Sequence, residues 1–177
     1  MTINPYHGVI VKNPNFPIEE IEKIIAQKAS WIYKKTKFLD KKQSIQQIYA
    51  DEGKILFLGN KIKIDKNVNI EVFYKEKTKE IVTPLVEKYS KIMSLTPSEI
   101  KYRKAKRRWG SCSGRNSISF NSSLSQLPLS CIEYIIVHEL SHILHKHHQK
   151  DFWLHVEKFM PSFKEQEKEL KKYFPAI

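Results

Sequence analysis

Apolar positions follow two kinds of pattern along the 177 residues. Pro17 opens IEEIEKIIAQKASWIYKKTKFL, in which Ile21, Ile24, Ile25, Ala29 and Ile32 recur at helical spacing. Ahead of it, residues 1–15 read as extended chain, with Val9, Ile10 and Val11 between turn formers. Residues 45–75 change character: IQQIYA, KILFLG, KIKID and VNIEVFY are short apolar runs, broken by Asp51-Glu52-Gly53, Gly59-Asn60 and Lys66-Asn67. Such punctuation predicts an antiparallel meander with a hairpin turn at Gly59-Asn60.

A second helix is predicted over 77–93, burying Ile81, Leu85, Val86, Tyr89 and Met93. Pro97 and Ser98 end it, and a strand follows around IKYRKA. WGSCSGRN has turn chemistry, and SISFNSSL alternates as an exposed strand does. After Pro128, residues 130–145 form the strongest helical pattern, with two further helices near 149–159 and 162–173. Helices and strands mix without regular alternation, so the expected class is α+β, with an antiparallel or mixed sheet packed on the 130–145 helix. The expected division is a helix-and-meander region, 1–76, and a catalytic region, 77–177, in one compact body.

Composition narrows the picture little. A hydrophobic fraction of 41% with 28% charged residues is ordinary for a soluble globular chain. Cys112 and Cys131 are too few for a disulfide framework and form no CxxC pair, which suits a reducing compartment. No basic segment precedes an apolar stretch near Met1, and no window approaches a membrane span. A cytoplasmic protein without a membrane partner is expected. The net charge of +12 is spread along the chain, so it describes a solvated basic surface better than a particular partner. Its densest cluster is KYRKAKRR, residues 101–108.

Chemistry concentrates in Ile135-Ile136-Val137-His138-Glu139-Leu140-Ser141-His142-Ile143-Leu144, an HExxH segment inside an apolar helix. Residues four apart share one helix face, so both imidazoles can reach one ion while the glutamate handles the proton of an attacking water. HExxH arises by chance in roughly 2% of chains of this length, so the apolar helix and the histidines after it carry more weight than the spacing. Catalytic zinc takes three protein ligands and leaves a fourth position open. His145 would sit too far along a continuous helix to share the ion. His148 can reach it if the chain breaks after Leu144 and folds back, with His147 as the alternative. Either way one Zn2+ per chain is expected.

The sequence resembles the YgjP-like metallopeptidases, predicted metal-dependent hydrolases related to the SprT-like and WLM-type zinc proteases. The resemblance rests on Arg107-Arg108-Trp109-Gly110-Ser111-Cys112-Ser113, Ile118-Ser119-Phe120-Asn121, Leu127-Pro128, the Tyr134–His142 segment, His148, Phe152-Trp153 and Met160-Pro161. It implies a zincin-like fold, ligands at His138, His142 and His148, catalysis by Glu139, and an RRWGSCS segment beside the site. Strand 118–121 then becomes a candidate rim for an extended peptide. Trp109, Ser119 and Asn121 are the candidate substrate-binding residues, although Trp109 fits a core position as well and Asn121 a cap. Cys112 reads as a small buried residue, and Phe152 and Trp153 as packing that holds His148. Arg107 or Arg108 is a candidate for stabilising an oxyanion.

The expected activity is hydrolysis of peptide or protein substrates by activated water. The alternatives are a hydrolase of another amide, a DNA-associated SprT-like protease using the basic surface, and a domain with structural zinc only, which would need no Glu139.

Overall fold

The computed structural model describes residues 2–4, 8–12, 15–37, 53–105 and 107–173. The chain forms two compact units, Met1–Glu52 and Gly53–Ile177. The division falls 24 residues ahead of the boundary expected after residue 76, because the hairpin expected in the first region belongs to the second unit.

The first unit holds β1 (Thr2–Asn4) and β2 (Gly8–Ile10), an antiparallel pair in which Ile3 faces Val9. Helix α1 (Ile18–Gln27) follows Pro17, and after a turn at Lys28 the chain is helical again over 29–37. The IQQIYA run lies outside the described residues.

In the second unit β3 (Lys54–Phe57) and β4 (Asn60–Lys63) pair antiparallel, Phe57 opposite Asn60. The two-residue turn is therefore Leu58-Gly59, one position earlier than expected. Both residues have positive φ, 49° and 80°, as a primed hairpin turn requires. Leucine resists that conformation, and the neighbouring 3-10 turn (Leu124–Gln126) holds it: Leu58 N donates to Ser125 O at 2.8 Å and Gly59 N to Gln126 O at 3.0 Å. Tyr74 OH, donating to Leu56 O at 2.8 Å, ties the same hairpin to the next helix.

That helix, α2, runs from Ile70 to Met93. The IEVFY part of VNIEVFY is thus its first turns, not a strand. Asn69 caps it, its Oδ1 accepting from Glu71 N and Val72 N. The buried stripe is Tyr74, Thr78, Val82, Val86, Tyr89 and Met93, while Ile81 and Leu85 are half-buried at its flank. Thr78 interrupts the apolar pattern because its hydroxyl is needed inside, where it donates to Ser122 O at 2.9 Å and accepts from Ser125 N at 3.0 Å.

Strands β5 (Glu99–Arg103), β6 (Gly110–Cys112) and β7 (Ser117–Asn121) form a mixed sheet in the order β5-β7-β6. β7 is central, parallel to β5 and antiparallel to β6. Its expected reading as an exposed strand is corrected: Ile118 and Phe120 are almost wholly buried, and Ser119 pairs with Lys101 on one side and Ser111 on the other. Tyr102 lies 6.3 Å from the Phe120 ring, and its hydroxyl is 2.9 Å from Thr83 Oγ1, joining the sheet to α2.

The remaining elements are α3 (Leu129–Ser141), α4 (Lys150–Phe159) and α5 (Phe163–Leu170). α3 is buried on nearly all sides: Cys131, Ile132, Tyr134, Ile135, Ile136, Val137 and Leu140 all belong to the core. It packs against α2, α4, α5 and β6. Both cysteines are free thiols. No helix among the described residues is long and apolar enough to cross a membrane.

Gly59 tests how tightly the hairpin is held. A Cβ there would lie 2.8 Å from Pro128 Cγ, just ahead of α3. Gly59→Ala is expected to destabilise the protein by about 2 kcal/mol, combining the left-handed penalty with displacement of Pro128. Urea unfolding reads this as a lower midpoint; an unchanged midpoint would mean that the hairpin is not held in this conformation.

Candidate metal centre

α3 delivers His138 and Glu139 from its last helical turns and His142 from its C-cap. The helix stops at Ser141, earlier than the 130–145 pattern predicts. Three successive turn bonds close it, Ile143 N to Leu140 O, Leu144 N to Ser141 O and His145 N to Ser141 O. The chain then doubles back so that His148 arrives just before α4.

The fold brings three ring nitrogens to one point. His148 Nε2 lies 3.0 Å from His138 Nε2 and 3.2 Å from His142 Nε2. All three ligand atoms fall within 4.8 Å of one another. Tetrahedral zinc with bonds of about 2.0–2.1 Å needs nitrogens roughly 3.3 Å apart, so this donor set fits such an ion. His147 is exposed and outside the group, and the side chain of His145 turns away to His155, ring centroids 5.5 Å apart.

Tautomers also suit a cation. His142 Nδ1–H donates to His145 O at 2.9 Å, which leaves the Nε2 lone pair for a ligand. Burial, helped by the fields of His142 and His148, holds His138 down at about 3, so it is neutral at ordinary pH. Phe152 is fully buried and touches all three rings, its centroid 4.9 Å from His138, 4.5 Å from His142 and 4.7 Å from His148. Trp153 lies 5.9 Å from His138 and 5.7 Å from His148 and stacks on Phe163 behind them. The rings are thus set in an apolar wall that fixes their directions.

Glu139 is the unusual group. Its side chain is buried, and Oε2 has no hydrogen-bond partner within the protein. Burial raises its pKa to about 8, against the opposing field of Arg108. Gly110 on β6 makes room for it: a Cβ there would lie 2.6 Å from Glu139 Oε1 and 2.7 Å from Cγ. The resemblance placed the RRWGSCS segment beside the site but assigned Gly110 no role of its own within it. It also missed Lys146, whose Nζ donates to Ser113 O and Asn116 Oδ1 and ties the loop carrying His148 to the β6–β7 turn.

The candidate substrate residues sit apart from this cluster in role. Trp109 belongs to the hydrophobic core. Asn121 is buried and committed to the chain, donating to Ala105 O and Arg108 O while its Oδ1 accepts from Ser123 N and Oγ. Its amide thus holds the RRW segment in place. Ser119 is half-buried in the central strand. Because both edges of β7 are paired, no peptide can add to 118–121; among the described residues the edge strand beside Glu139 is β6.

The crystal structure of the metallopeptidase zymogen of Pyrococcus abyssi abylysin is similar at 26% identity, covering 51% of this chain and 93% of that one with a TM-score of 0.47. No match to a curated protein reaches significance. A family profile described as YgjP-like, metallopeptidase domain, matches residues 65–173, from just ahead of α2 through the three-histidine cluster to just past α5, and the chain belongs to that family of metal-dependent peptidases.

Proposed function

We propose that the chain is a zinc-dependent peptidase of zincin-like fold, in which His138, His142 and His148 hold one ion and Glu139 is the general base and then acid. One observation carries the reading: three ring nitrogens converge at the end of a helix whose Glu139 is buried with an Oε2 that has no hydrogen-bond partner. Zinc held there would supply Lewis acidity, lowering the pKa of water towards about 7 and polarising the scissile carbonyl.

The residues of the chain do the rest. Glu139 takes a proton from the attacking water and passes it to the departing amine, which needs a carboxyl group whose two protonation states are close in energy near neutral pH. In the metal-free protein burial raises its pKa to about 8, and the field of a bound cation would act in the opposite direction. Phe152 and Trp153 exclude solvent from one side of the histidines. A peptide added to the free edge of β6 would lie next to Glu139, because Gly110 has no side chain to separate the strand from the carboxylate.

Metal content follows directly. Mass spectrometry is expected to find about one zinc per wild-type chain, lost in His138→Ala, His142→Ala and His148→Ala and kept in His147→Ala. Glu139→Gln is expected to keep the zinc yet hydrolyse peptides at least about 100-fold more slowly. Loss of zinc in His147→Ala but not in His148→Ala would overturn the ligand assignment.

The metal-free protein gives a separate test. Glu139 ionises near 4.5 when unfolded and near 8 when folded, so its contribution to stability falls as pH rises through that window. His138, neutral when folded and protonated below about 6.5 when unfolded, makes stability fall as pH drops from there towards 3. Metal-free Glu139→Gln is therefore expected to match wild type near pH 4.5 and exceed it by about 2–4 kcal/mol at pH 8 and above. Chemical denaturation at the two pH values measures the difference, and a constant gap would rule out the buried carboxylate as its source.

A further inference from the structure

Lysine is the ordinary cation of this protein. Arginine occurs four times among 31 basic residues, as Arg103, Arg107, Arg108 and Arg115, all within the stretch that enters and leaves β6. A chain that uses lysine everywhere else for solubility has a chemical reason to use arginine in one place. Guanidinium offers a planar fork of donors matched to a carboxylate or phosphate, and ammonium does not.

The surroundings leave these forks available. Arg107, Arg108 and Arg115 are exposed, and among the described residues every ion pair is made by a lysine. Lys101 and Lys104, in the same basic run, are already paired with Glu99 and Glu71. Arg103 adds its field to Glu99. What remains for a ligand is two arginines at one end of β6, and Arg115 at the turn that closes the other. β6 is three residues long, about 10 Å, so the two groups bracket an extended segment of three or four residues. Arg108 is near enough to Glu139 for its field to act on the carboxylate.

We infer that this arginine rim selects acidic peptides: it would bind Asp or Glu side chains on either side of the bond presented to Glu139. The inference rests on the peptidase reading for the identity of the ligand. Arginines confined to the two ends of one short strand suit a short extended anion better than a long polyanion, for which the partly neutralised 101–104 run offers little.

The test uses zinc-loaded Glu139→Gln, which binds without turnover, and two fluorescein-labelled ten-residue peptides of one sequence, carrying Glu or Gln on both sides of the central dipeptide. Fluorescence anisotropy is expected to show the Glu peptide binding at least about tenfold tighter, a preference that Arg107→Lys/Arg115→Lys largely removes although total charge is unchanged. Equal affinity for the two peptides, or an unaltered preference in the lysine variant, would overturn the rim. So would displacement of the Glu peptide by a single-stranded oligonucleotide or inorganic pyrophosphate at lower concentration than by unlabelled Glu peptide, since the forks would then be phosphate sites. Cleavage by zinc-loaded wild type separates the two ideas. Cutting of both peptides with no acidic preference leaves the peptidase and removes the rim. A Glu preference in binding with neither peptide cut supports the rim and removes the peptidase.

Discussion

The second unit is organised around a carboxylate held where a carboxylate is costly. Glu139 sits on a helix that is apolar on nearly every side, against a strand that has given up a side chain at Gly110 to admit it. Neither the helix nor the strand supplies a hydrogen bond to Oε2. An ordinary core would bury a leucine here and gain stability. The neighbours show what such an arrangement demands: among the described residues β6 is an edge strand paired only towards β7, and α3 must end within one turn, because His148 has to return to the same spot.

The end of α3 is the second requirement, and it is built locally. A helix continuing to residue 145 would carry His145 away from His138 and leave two ligands. Turn bonds to Leu140 and Ser141 stop it, and the His145 carbonyl then accepts from His142 Nδ1. The side chain of His145 is thereby removed from the cluster while its backbone orients a histidine within it. Lys146 fixes the same loop to the β6–β7 turn, so the third histidine and the strand beside Glu139 are located by one connection.

These features were unequally legible in the sequence. HExxH and the apolar helix around it were plain, since a face repeating at four residues needs no tertiary information. The α+β mixture and the helices after Pro128 were legible for the same reason. VNIEVFY was not, because its β-branched and aromatic residues favour a strand locally, and the Asn69 cap and the stripe continuing from Tyr74 through Thr78 override that preference. Thr78 hid the stripe: its polarity makes sense only once Ser122 and Ser125, more than forty residues on, are beside it. β7 alternates as an exposed strand does, yet Ile118 and Phe120 are fully covered and Asn121 faces two carbonyls and a serine instead of water. Pairing partners decide whether a strand is an edge, and pairing is not written in the alternation.

Metal affinity, catalysis and stability are coupled in such a site. A cation placed among the three imidazoles takes up the lone pairs that converge there, and its field opposes the burial that favours the protonated acid at Glu139. The feature that weakens the metal-free fold at neutral pH, a buried carboxylate whose Oε2 has no partner, therefore belongs to the same helix as two of the donors that favour binding. Apolar packing by Phe152 strengthens this linkage, since charges interact more strongly where water is excluded. Replacing these groups by well-packed apolar side chains would give a more stable protein and take away the donors that an ion needs.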